Sequence, residues 1–160
     1  MHPDLSNLFY KAEDHYLSNV DIKVFRHHAE SLQQRLATYE LLRDRELEIF
    51  QPVADRFQKN HPIENPVVLE QVIKQGITLL RYAAMAMLLN NPEFLQHRVL
   101  EWLTEKVNAH QTQALITDLH ELLQARLKEL LTDKELDLIL PLLDQSQATL
   151  VGVQPLVSVQ

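Results

Sequence analysis

Only two of the 160 residues are glycine, and apolar side chains recur at three- and four-residue spacing along almost the whole chain. So few glycines leave little means of turning β-hairpins, and no stretch alternates apolar and polar with period two. The expected fold is therefore all-α. The same scarcity excludes the Gly-rich phosphate loops of nucleotide-binding proteins. Cysteine is absent, which removes disulfides, thiolate metal sites, cysteine nucleophiles and thioether-linked cofactors together. With 22 acidic against 15 basic side chains the formal charge is -7. That balance argues against non-specific nucleic-acid binding, which needs a basic face to release counterions. The length suits one domain with one core. The most apolar stretch, 67–89, is interrupted by Glu70, Lys74, Gln75 and Arg81, so it is expected to be a buried helix and not a membrane span. No basic region followed by an apolar run opens the chain, so no signal peptide is expected. These bounds describe a soluble, intracellular protein.

Helix boundaries follow from capping residues and prolines. Leu5, Leu8 and Phe9 mark a short first helix ending near Tyr16. Ser18 and Asp21 form a capping box for a helix over 20–42, with Val24, Phe25, Leu32, Leu36, Tyr39 and Leu42 expected inward. Arg43, Asp44 and Arg45 make a charged joint. A third helix carries Leu47, Phe50, Ala54 and Phe57, with Pro52 inside it, and His61-Pro62 stops it. Asn65-Pro66 is an N-cap followed by proline at the first helical position, opening a central helix over 66–89. Asn90-Asn91-Pro92 ends it and starts a helix through Phe94, Leu95, Val99, Leu100, Leu103 and Val107. Another runs through Leu115, Leu119, Leu122, Leu123 and Leu127. Thr132 and Glu135 make a second capping box for a last helix through Leu136, Ile139, Leu140, Leu142 and Leu143, in which Pro141 could introduce a kink. Residues 151–160 form a tail.

No catalytic constellation emerges from the residue types. His27 and His28 are adjacent, so on a helix they point about 100° apart and do not chelate together; the chain has no H-E-x-x-H. His97 and His110 could each ligate a haem, but a lone helical histidine is more simply a surface or capping group. Asp118, Glu121, Asp133, Glu135 and Asp137 read as a solvated acidic face, since no repeated Glu-x-x-His element accompanies them. Arg81 stands out, because a guanidinium in the most apolar helix needs a partner. It either bridges an interface or clamps a ligand carboxylate.

Several local patterns, in order, resemble the phycobiliprotein family of globin-like subunits from cyanobacterial antennae. Ala12-Glu13-Asp14 followed by Tyr16-Leu17-Ser18 and Asp21-Ile22 resembles its opening. Ala54-Asp55-Arg56-Phe57 with Lys59-Asn60-His61-Pro62 resembles its second globin helix. Thr78-Leu79-Leu80-Arg81-Tyr82 resembles its central Tyr-Tyr-Leu-Arg stretch. Asn90 to Leu95 falls where the family turns into its next helix. The resemblance implies a globin-like helical bundle over 1–150, with 1–17 as an N-terminal dimerisation helix. It departs from the family where the pigment is held. The family's bilin-bearing cysteine falls at Val72, its pyrrole-binding Asp at Gln75, and the nearest counterpart of its glycine is Gly76, one place out of register. The segment 61–65, which wraps the bilin in the family, is shortened.

Covalent pigment is therefore excluded, and assembly is what the resemblance leaves. In the family an acidic residue of the opening helix meets the Leu-Arg arginine of a partner. Here that implies Glu13 or Asp14 against Arg81, with Leu5, Leu8, Phe9, Val24 and Phe25 in the same interface. The expectation is a homodimer, or a heterodimer with a phycobiliprotein-like paralogue. Such a protein would serve as a non-enzymatic interaction, assembly or regulatory module beside antenna or photosystem proteins, cytoplasmic or peripheral at the thylakoid. It would need no cofactor, metal, nucleic acid or membrane insertion. The competing expectation is a carrier or sensor of a non-covalent tetrapyrrole (a bilin, haem or chlorophyll intermediate). Gln75, Leu79, Tyr82, Met85, Met87 and Trp102 would line its pocket, and Arg81 would clamp a propionate. A third is a cofactor-free globin-like sensor that signals through its dimer interface.

Overall fold

Side-chain caps set most of the helix starts. The computed structural model describes residues 2–152, which form α1 (Pro3–Asp14), α2 (Asn19–Asp44), α3 (Glu46–Asn60), α4 (Pro66–Leu89), α5 (Pro92–Leu95), a π-helical turn (Gln96–Leu100), α6 (Glu101–His110), α7 (Gln113–Leu130) and α8 (Asp133–Val151). No strand occurs among these described residues. Both expected capping boxes form. The Asp21 amide donates to Ser18 Oγ and the Ser18 amide donates to the Asp21 carboxylate, each at 3.2 Å. Thr132 and Glu135 reciprocate at 3.1 and 3.4 Å. Asn65 Oδ1 accepts the Val67 amide at 2.9 Å, with Pro66 at the first helical position as expected. Asn90 closes α4 in the left-handed region at φ 50, a conformation asparagine tolerates better than most residues. The expected tail, apart from Val151 and Gly152, lies outside the described residues.

The core is built on α4, which packs against α2, α7 and α8, while α3 lies along α7. Ile49, Phe57, Leu103, Leu127 and Ile139 are wholly buried there. Gly76 lets α4 and α7 approach: a Cβ at this position would stand 2.7 Å from Leu119 Cδ2. By length and composition α4 could cross a membrane. Its apolar surface is instead committed to the neighbouring helices, with Leu69, Val72, Leu80, Ala83 and Met87 all buried.

Two irregularities have local causes. Pro52 has no amide to give the Glu48 carbonyl one turn back. Arg126 on α7 takes that carbonyl with Nη2 at 3.0 Å and Nε at 3.3 Å, so α3 runs unbroken through its proline. The π turn answers the spacing Leu95, Val99, Leu103, Val107, which is four residues per turn where an α-helix has 3.6. One wide turn restores the register and keeps Val99 and Leu100 both buried.

The expected inward face of α2 is corrected, and the core face of α3 is defined. On α2, Leu42 is buried and Tyr39 half-buried, but Phe25, Leu32 and Leu36 are 46%, 49% and 45% exposed and Val24 is also exposed. Among the described residues, no helix covers these side chains of α2. On α3, Leu47 is exposed and Ala54 half-buried. The core face is Ile49, Phe50, Val53 and Phe57, because the three- and four-residue spacing of these larger side chains selects the stripe that meets α4 and α7.

Candidate functional site

The first candidate is the face made by α1 and the first half of α2. A part-buried latch joins the two helices: Lys11 Nζ donates to Asp21 Oδ1 at 2.8 Å. Lys11, and next Ser18, pull the Asp21 carboxyl down to about 2. Asp21 thus caps α2 and holds α1 with one carboxylate. Of the expected interface residues, Leu8 is already buried within the chain and Leu5 is half-buried. Phe9, Val24 and Phe25 are exposed, as are Val20, Leu32 and Leu36 on α2. Glu13 and Asp14 stand exposed at the end of α1.

Arg81 is not buried, which corrects the expectation drawn from its apolar helix. It projects from α4 and forks onto Glu46 of the same chain, Nε to Oε2 at 2.7 Å and Nη2 to Oε1 at 2.6 Å. The guanidinium holds the Glu46 carboxyl below its usual range. This pair forms one wall of a groove of about 320 Å³ that Tyr39, Leu42 and Arg43 also line. Glu46 occupies only one edge of the guanidinium, so the Nη1 donors remain available to a second acceptor.

The residues expected to line a tetrapyrrole pocket are not brought together. Gln75 and Trp102 meet at a second groove of about 320 Å³ between α4 and α6, with Lys74, Thr78, Lys106 and His110. Lys106 Nζ lies 5.1 Å from the Trp102 ring centre, and the Trp102 indole donates to the Arg98 carbonyl in the π turn at 2.7 Å. Leu79 and Met87 instead belong to the core, Met85 is half-buried, and Tyr82 stacks on Phe94 at 6.0 Å. Val72, at the position matched to the bilin-bearing cysteine, is 1% exposed and packed in the core. The periodicity of α4 could not separate these residues, because core and groove occupy adjoining faces of one helix.

Several other titratable groups are paired within the chain. His97 pairs with Glu101 at 3.0 Å, and His61 with Asp118 at 2.7 Å. His120 lies 3.4 Å from Asp144, and burial lowers its pKa while Asp144 opposes that shift. His28 meets the edge of its neighbour His27, with ring centres 6.1 Å apart, and also faces His2, the N-cap of α1, with ring centres 4.9 Å apart. Residues 9–150 match the family model described as Phycobilisome protein. No curated protein matches the chain.

Proposed function

The chain belongs to the phycobilisome protein family, and on that footing we propose that it is a pigment-free interaction, assembly or regulatory module of the photosynthetic apparatus. The family is one of light-harvesting proteins and not of enzymes, and its members assemble with one another at the thylakoid surface. The observation that carries the proposal is the set of large apolar side chains left in solvent on α1 and α2: Phe9 on α1, and Phe25, Leu32 and Leu36 along one row of α2, with Val24 on the adjoining face. Single exposed apolar residues are ordinary, but Phe25, Leu32 and Leu36 at seven- and four-residue spacing make a row on one helix face, which supports a docking role. Its occupant is a second copy or a phycobiliprotein-like paralogue, and the assembled unit works beside antenna or photosystem proteins. Glu13 or Asp14 of the partner would approach the free edge of Arg81. The absence of any cysteine removes thioether attachment of a bilin, and Val72 fills the matching position with a core side chain.

Light scattering coupled to gel filtration tests this reading. The wild-type chain is expected as a dimer and Phe25→Asp as a folded monomer. Arg81→Ala is expected to weaken the dimer, and an unchanged oligomer mass and unfolding midpoint would sink the cross-subunit pair. The second reading, a non-covalent tetrapyrrole site, is favoured by the Trp102 groove, where Lys74 and Lys106 could meet two propionates. Its volume is at the lower end for a small-molecule site. A visible absorption band retained through gel filtration after adding bilin or haem, and lost in Trp102→Ala, would support that reading over the first.

A further inference from the structure

We propose that His2, Asp4 and His28 form a divalent transition-metal site that clamps α1 to α2. The carboxylate oxygen Asp4 Oδ2 stands 3.6 Å from His2 Nδ1 and 3.7 Å from His28 Nε2. All three ligand atoms lie within 4.8 Å of one another. With metal–ligand bonds of about 2.0–2.2 Å, the corners of a tetrahedron stand about 3.3–3.6 Å apart. Two of the three edges are therefore set to within a few tenths of an ångström, and small ring rotations close the third.

The donor set is two imidazoles and one carboxylate, which suits zinc and its borderline neighbours better than calcium or magnesium. Three protein ligands leave a fourth position for water. His2 already presents the required lone pair. Its Nδ1 accepts the Asp4 amide at 3.3 Å as the N-cap of α1, so that nitrogen carries no proton, and the bond is long enough for a metal to displace. The ligands come from two helices, and that explains why no motif announces them. The site opens into a cavity of about 530 Å³ that His27 and Lys23 also line. Among the described residues lining that cavity, Lys23 carries the ammonium that opposes a dication.

The bound ion would add a second fastening to the Lys11–Asp21 latch at the other end of α1. Metal would thereby fix the pose of the helix that carries Phe9. The site itself stands on its three ligands and not on the dimer reading.

The test uses the full-length, tag-free chain, stripped with a chelator and titrated with zinc chloride by calorimetry. One equivalent is expected to bind, with a rise in melting temperature. His2→Ala and His28→Ala should each weaken binding at least tenfold, whereas His97→Ala, which removes another exposed histidine beside a carboxylate, should not. Asp4→Asn keeps the shape and removes the charge, so it should also weaken binding, and metal-free melting of each variant checks that it folds. Lys23→Ala should tighten binding. Absence of stoichiometric binding, or unchanged affinity in the His2→Ala/His28→Ala double variant, overturns the site.

Discussion

Between α3 and α8, apolar side chains at helical spacing disappear into a common core; in α1 and the first half of α2, the same spacing leaves them in solvent. Phe57 and Phe25 illustrate the contrast. Both are helical phenylalanines with apolar residues nearby at helical spacing, yet Phe57 is fully buried and Phe25 is 46% exposed. What differs is the number of layers. Phe57 lies in the core that α3, α4 and α7 share, whereas the arm consists of two helices joined by the Lys11–Asp21 latch and the His2–His28 contact. The body buries most of its large apolar side chains within the chain, whereas the arm leaves Phe9, Phe25, Leu32 and Leu36 in solvent.

The sharpest way to break this comparison is to truncate each phenylalanine in dilute protein. Phe57→Ala should cost about 3–5 kcal/mol, as expected for emptying a packed aromatic site. Phe25→Ala should move monomer stability by less than about 0.5 kcal/mol. Urea denaturation monitored by circular dichroism reads both. Equal losses would mean that the arm is as tightly integrated as the body. A smaller effect is expected at Gly76, where an added methyl collides with Leu119 and forces the α4–α7 contact apart. Gly76→Ala should destabilise by about 1–3 kcal/mol, and a neutral result would show that Leu119 has room to turn aside.

Acid should loosen the two regions over different pH windows. His120 in the body is held below its ordinary 6.5 by burial. The unfolded chain therefore takes up this proton first, and acidification below 6.5 lowers stability until the folded pKa is passed. His120→Gln should flatten that slope in the melting temperature. In the arm, Asp21 is depressed to about 2 from 3.8. Its contribution is complete above 3.8 and is lost as pH falls toward 2, so amide exchange in α1 and the start of α2 should accelerate there. Asp21→Asn should show that faster exchange already at neutral pH.

The helix map was legible because its punctuation is local. Ser18, Thr132, Asn65 with Pro66, and Asn90 to Pro92 each act on amides within a few residues, so one strand of text contains the whole interaction. Burial was less legible. Leu32 and Leu36 satisfy the inward pattern of α2 as well as any core residue does, and only the positions of the other helices decide that nothing covers them. Arg81 failed in the opposite sense: an apolar helix still has a solvent edge, and Glu46 lies 35 residues away. The π turn carried a readable sign in the four-residue spacing from Leu95 to Val107. The pairing of His28 with His2 and Asp4 had none, since it depends on how α1 folds back on α2.

The bond from Arg126 to the Glu48 carbonyl has an evolutionary consequence. Pro52 creates the vacancy and Arg126 fills it, although 74 positions separate them in the sequence. A relative with an amide-bearing residue at 52 closes its own helix turn and releases position 126 to drift, while one that keeps the proline retains a long donor there. The two positions should therefore change together across descendants of this chain, as a record of a contact that neither position discloses alone.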